Sequence, residues 1–147
     1  MKKIISVISL SFLVLLLLVS NVIGSSDWVE YRTDENGSVW LYKKGNIEKK
    51  GGNYIVQVWD KLVYSDKGRE KYIQKNTEKG LSNEGFDKLS NIKGLKEMDC
   101  NKRRYRLLST TWYDTDDKVL YSDSIEGDWD YIVSDSYGDI LFKKVCK

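Results

Sequence analysis

The sequence predicts an α+β fold, an antiparallel sheet of hairpin-linked strands with a C-terminal helix pinned against one face. Three observations carry that prediction. Aromatic and β-branched residues recur in short alternating runs separated by turn residues, the pattern of strands joined by hairpins. The last stretch, Ser136 to Cys146, switches to helical spacing. The chain has only two cysteines, Cys100 and Cys146, and the second closes that helical stretch.

Ahead of the fold stands a segment of different character. Met1-Lys2-Lys3 is a short basic start, Ile4 to Val19 an uncharged apolar run, and Val22-Ile23-Gly24 leads into Ser25-Ser26-Asp27. This is how a secretory signal and its cleavage site read, so residues 1–24 are expected to be removed and residues 25–147 to form a single domain. The rival reading is a retained anchor, since Ile4 to Gly24 gives 21 uncharged residues, enough to span a bilayer. Ser6, Ser9, Ser11, Ser20 and Asn21 dilute that run, which favours cleavage and no stable membrane span afterwards. No cysteine lies near Ser25, so lipid attachment there is not available.

Lys2 and Lys3 account for the whole net charge of +2, and the remaining 22 basic residues face 22 acidic ones. A neutral domain gives no electrostatic reason to expect nucleic acid or an anionic membrane surface as partner. Beyond the leader the chain keeps 5 Trp, 10 Tyr, Phe86 and Phe142, enough for a real core.

The elements follow in order. Trp28 to Arg32 and Val39 to Tyr42 are short aromatic strands around Thr33-Asp34-Glu35-Asn36-Gly37, where Asn-Gly is a strong hairpin signal. Lys49-Lys50-Gly51-Gly52 is a second turn. It leads into Tyr54 to Tyr64, whose Tyr54, Val56, Val58, Leu62 and Tyr64 share a face by alternation. The other face mixes Gln57 and Lys61 with Ile55, Trp59 and Val63, and its half-dry character suggests that something covers it. Asp66 to Lys79 are good helix formers, with Gly80 placed to end the helix. Leu89 to Cys100, Arg103 to Tyr113 and Lys118 to Ser122 read as strands, the last two joined by the polar turn Asp114-Thr115-Asp116-Asp117. Trp129 to Val133 is a short extended piece. In the last helix Ser136 and Asp139 have capping-box spacing, and Tyr137, Ile140, Leu141 and Val145 form an apolar stripe.

An exported chain meets an oxidising compartment, so two thiols are most economically one disulfide, Cys100–Cys146. Such a bond pins the last helix to the sheet, over the half-dry face. A metal or catalytic thiol is the weaker reading, because metal sites need about four ligands and this chain has no histidine and no close cysteine pair. No metal or other cofactor is expected.

The chain also resembles the surface-adhesin protein E family of bacterial exported proteins over Asp27 to Lys147. The resemblance rests on Trp28, Val39-Trp40-Leu41-Tyr42 with Ile47, and Val56-Gln57-Val58-Trp59. It continues through Glu97-Met98-Asp99-Cys100 with Tyr105-Arg106, Tyr113-Asp114, Trp129-Asp130-Tyr131-Ile132 and the terminal Val145-Cys146. Ser134 departs from it, standing where proline is expected before the last helix. The resemblance implies a six-stranded antiparallel sheet whose concave side holds a C-terminal helix through a disulfide, again Cys100 to Cys146.

Three chemical hypotheses compete with bland ones. Asp114, Asp116 and Asp117 suggest a calcium loop, but Lys118 takes a ligand-like position and Val119 stands in place of the needed glycine. A solvated hairpin turn is the better reading. Lys102, Arg103, Arg104 and Arg106 around Tyr105 could bind an anion; Arg104 and Arg106 would share a strand face while Tyr105 points the other way. Glu126, Asp128 and Asp130 could supply paired carboxylates for glycoside hydrolysis, yet nothing in the sequence supports a substrate cleft. With no histidine and no nucleophile elbow, no catalytic residue is assigned and a non-enzymatic role is expected.

The resemblance thus implies a binding domain at the cell surface or outside the cell, contacting extracellular or surface proteins. A periplasmic structural or small-ligand-binding protein with the same fold is the alternative. No binding residue is fixed by the sequence. The turns Asp34 to Gly37, Lys49 to Gly52 and Asp114 to Asp117 are expected to be exposed.

Overall fold

The computed structural model describes residues 27–50, 52–124 and 126–147. The expected signal segment 1–24, its cleavage point at Ser25, and Gly51 of the second turn lie outside the described residues. One antiparallel sheet runs β1 (Val29–Thr33), β2 (Val39–Lys50), β3 (Asn53–Val63), β4 (Leu89–Asp99), β5 (Arg104–Asp114), β6 (Val119–Asp123), each strand beside its neighbour in sequence. The two-residue β7 (Asp130–Tyr131) pairs with the other half of β5. Helix α1 (Asp66–Glu78) connects β3 to β4, and α2 (Tyr137–Val145) follows β7. The strands are those that the alternation marks. Trp129 to Val133 contributes only β7, and β2 runs on past Tyr42 through a register irregularity between Lys44 and Ile47.

Local chemistry builds the turns and caps. Asp34 Oδ1 accepts from the backbone N–H of Asn36 and of Ser38, both at 2.9 Å, and Gly37 takes a positive φ of 84°. Asp114 repeats the device, its Oδ1 accepting from the N–H of Asp116 and of Lys118 at 2.8 Å. That use turns Asp114 inward: it is buried and Asp34 and Asn36 are half-buried, so of these two turns Glu35, Gly37 and Thr115 to Asp117 are exposed as expected. At α1, Ser65 Oγ caps the Gly68 N–H, and Gly80 with φ 69° follows the helix end.

Register decides the faces. β3 sets Val56 beside Met98, Val58 beside Lys96, Asp60 beside Gly94 and Leu62 beside Ile92. β5 continues these rows with Tyr105, Leu107, Thr110 and Trp112. Paired residues project from the same side of a sheet. Leu141 and Val145 of α2 press onto Val56, Val58 and Met98 on that side, with Tyr54, Tyr105 and Phe142 around them, forming the core.

This corrects the expectation that the helix covers Ile55, Trp59 and Val63. It lies on the opposite face, and Trp59 stays exposed. Cys100 follows Met98 by two residues and so shares its face, which register has aligned with Val56. The Cys100–Cys146 disulfide, with Cα atoms 5.4 Å apart, can draw the helix in only from that side. The apolar stripe forms on this helix, its members unequally buried. Leu141 and Val145 are buried, whereas Tyr137 is exposed at the helix start and packs on Trp40 with ring centroids 5.0 Å apart.

The start of α2 is a charged anchor. Ser136 Oγ accepts from the Asp139 N–H at 3.2 Å, the forward half of the expected capping box. The Asp139 carboxylate does not close the box. It accepts instead from the Asp135 N–H at 3.0 Å and from Lys143 at 2.8 Å, and it pairs with Arg103 of the β4–β5 turn. Lys143, the Asp135 amide and Arg103 together hold this carboxyl down at about 2 against an ordinary 3.8, overcoming the opposing effect of burial. A depressed folded-state pKa gives stability that is complete above the unfolded value and lost as pH falls through the folded one. The urea midpoint is therefore expected to decline as pH drops from about 4 towards about 2, and Asp139→Asn should flatten that part of the profile. An unchanged slope in the variant would assign the acid sensitivity elsewhere.

Candidate functional site

The face of the sheet opposite α2 absorbs the residues that looked most like chemistry. Arg104 pairs with the buried Asp99 at 3.2 Å, and Arg106 pairs with the buried Glu97 at 2.6 Å and with Glu126. Trp129 lies across both guanidiniums, 4.6 and 4.9 Å from their centres to the ring. Arg104 and Arg106 thus share a face as expected, but their charge is spent internally and offers no open anion patch. Lys102 is exposed, and Arg103 belongs to the α2 anchor. Of the acidic trio, Glu126 is committed to Arg106, Asp130 lies in β7 and Asp128 is exposed, so they do not converge as a catalytic pair. Among the described residues no group of three or more His, Cys, Asp or Glu side chains could hold a metal ion, and Asp114 is occupied by its own turn.

The face that carries α2 holds a site instead. Between the area under α2 and Tyr72 of α1, the sheet is bare and forms a groove of about 340 Å³. Trp40, Tyr64, Tyr72 and Trp112 wall it, Leu62, Ile92, Gly94, Leu107 and Thr110 floor it, and Asp60 with Lys96 closes one end. Lys96 also borders a second hollow of about 310 Å³, lined by Met98, Tyr105, Ile132 and the α2 start, so the two share this side chain.

Asp60 is 5% exposed in the middle of an otherwise apolar strand face. Burying a carboxylate is costly unless it is paired and hydrogen-bonded. Both oxygens are met: Oδ1 accepts from the Tyr31 hydroxyl at 3.0 Å, and Oδ2 takes the Lys96 ammonium at 2.5 Å. Burial first, and the Asp60 charge second, push the Tyr31 phenol far above its usual range, so it remains a donor.

The walls are fixed by their own contacts. The Trp112 indole N–H donates to the Tyr72 hydroxyl at 3.1 Å, and Tyr72 packs on Tyr64 and Phe86 at 5.4 and 5.9 Å between ring centroids. Trp40 is held between Tyr31 and Tyr137, and its buried indole N–H has no acceptor among the described residues. A hollow of about 480 Å³ beside Glu35, Asn36, Lys67 and Lys71 is larger, but its side chains are solvated and its Lys71–Glu35 pair is exposed.

Sequence reading missed Asp60 and Lys96. The signal was there for Asp60, a carboxylate at the one break in the run Tyr54, Val56, Val58, Leu62, Tyr64. Lys96 and Gly94 gave none, because only cross-strand register brings them to Asp60. Among the described residues no helix is long and apolar enough to cross a membrane.

Compared with known proteins, the family model described as Surface-adhesin protein E matches residues 28–147. No curated protein and no solved structure matches the chain.

Proposed function

Since the chain belongs to the surface-adhesin protein E family, we propose that it is a non-enzymatic exported binding domain contacting extracellular or cell-surface proteins. The family match across residues 28–147 is the observation that carries this reading. In it, residues 1–24 are a signal removed on export and residues 25–147 the working domain. The contact surface that fits best is the rim of the second hollow. Tyr131 and Val133 are 79% and 72% exposed there, beside the exposed Tyr137. Exposed large apolar side chains close together suit protein contact, and Tyr anchors carry much of the energy in such interfaces.

The test has two parts. Protease treatment of intact cells should remove the protein, and N-terminal sequencing of the purified form should begin at or near Ser25. The oxidised protein should then bind immobilised extracellular-matrix proteins, with Tyr131→Ser/Val133→Ser weakening binding by at least tenfold. Protection from protease together with no binding to extracellular or surface proteins would instead place the protein in the periplasm with another role.

A further inference from the structure

Gly94 sits in the interior of β4, directly opposite Asp60, where glycine weakens a strand relative to alanine. Packing does not explain it. A Cβ at Gly94 would find its nearest neighbour, Leu107 Cδ1, at 3.5 Å and the Ser109 carbonyl oxygen at 3.6 Å, ordinary contact distances. Its φ is not in the left-handed region. What the missing side chain does leave is depth, because Gly94 is part of the floor of the groove.

We propose that this groove is a binding site for a neutral sugar residue, with Gly94 as the floor, Trp112 and Trp40 as the walls and Asp60–Lys96 as the polar end. The inference goes beyond the protein-contact reading and uses the neighbouring groove, which shares Lys96 with the second hollow. Three features select the ligand class. The volume of about 340 Å³ is at the small end of ligand sites, suited to one or two rings. The Asp60–Lys96 pair is internally neutral, so a charged ligand would find no uncompensated opposite charge there. A pure hydrocarbon would strip water from that pair and return no hydrogen bonds.

A sugar hydroxyl both donates and accepts, and Asp60 and Lys96 offer it acceptor and donor side by side. Each carboxylate oxygen has a further lone pair, and Lys96 has N–H donors beyond the one on Asp60. The C–H face of a pyranose ring meets the electron-rich face of an aromatic ring favourably, and here the indole of Trp112 is already fixed by Tyr72.

The test titrates the exported, oxidised protein with methyl glycosides of glucose, galactose, mannose, N-acetylglucosamine and N-acetylgalactosamine and with their common disaccharides. Two-dimensional amide and indole NMR provides the readout. At least one sugar is expected to shift the Trp40 and Trp112 indole signals and amides of Ile92 to Lys96. Gly94→Val should weaken that binding at least tenfold in protein whose urea transition shows it folded; at the Cβ itself the site gives only ordinary contacts. Lys96→Met, which leaves the buried Asp60 with Tyr31 alone, provides the second variant and should lose binding in protein whose amide spectrum shows the native fold. Absence of shifts with every sugar, shifts confined to other surfaces, or equal affinity in folded Gly94→Val would overturn the proposal. Groove shifts produced only by an apolar peptide would overturn it too. The protein-contact reading is read separately, through the Tyr131→Ser/Val133→Ser variant, which leaves the sugar titration unchanged.

Discussion

Replacing both Cys100 and Cys146 with serine is expected to lower the unfolding free energy by about 4 kcal/mol, the chain-entropy value for a loop of this length. The bond closes a 46-residue separation that spans β5, β6, β7 and α2. A small domain is stable by only about 5–15 kcal/mol in total, so the loss is a large share. It should also be uneven. α2 has nine residues and holds to the sheet mainly through Leu141, Val145 and the Asp139 anchor, whereas β2 to β5 hold one another by long ladders. Hydrogen exchange in α2 should therefore accelerate before exchange in β3 and β4 does. Urea unfolding with a loss under about 1 kcal/mol, or uniform acceleration throughout the sheet, would show that the helix is held without the bond.

Gly68→Ala is expected to destabilise by roughly 1–3 kcal/mol, the range for overpacking a tight site. Helix propensity taken alone gives the opposite sign, a gain of about 1 kcal/mol. The difference is Ser38. A Cβ on Gly68 would lie 2.0 Å from Ser38 Oγ, and Ser38 is only 1% exposed at the start of the β2 segment. That hydroxyl also accepts from the Ser65 N–H at 3.3 Å, so moving it disturbs the α1 cap as well. Ser38→Ala in the Gly68→Ala background should recover much of the loss, since the remaining Ser38 Cβ contact is 3.4 Å. A Gly68→Ala protein with a raised urea midpoint would refute the close approach.

Much of the fold was legible from residue order. Asn36-Gly37, Gly80 and Ser136 announced turns and a cap because such signals act within a few residues of themselves. Strand alternation in Tyr54 to Tyr64 marked two faces for the same reason, and the cysteine pair announced its own bond. The candidate site was hardly legible at all. Asp60 was visible as an anomaly in its strand, but its partners Tyr31 and Lys96 are 29 and 36 residues away in sequence. Glu126 looked like a free carboxylate until the fold placed Arg106 and Trp129 beside Glu97.

By itself, then, the sequence determined the class of fold, the hairpin order, the helix ends and the covalent staple, all of which depend on local periodicity or on residue identity. Only the tertiary structure decided which face of the sheet α2 covers, and through it where the groove lies. Period-two alternation assigns side chains to two faces without saying which is inside. The β3–β4 register, pairing Val56 with Met98, put Cys100 on the Val56 side, and the disulfide carried the helix there with it.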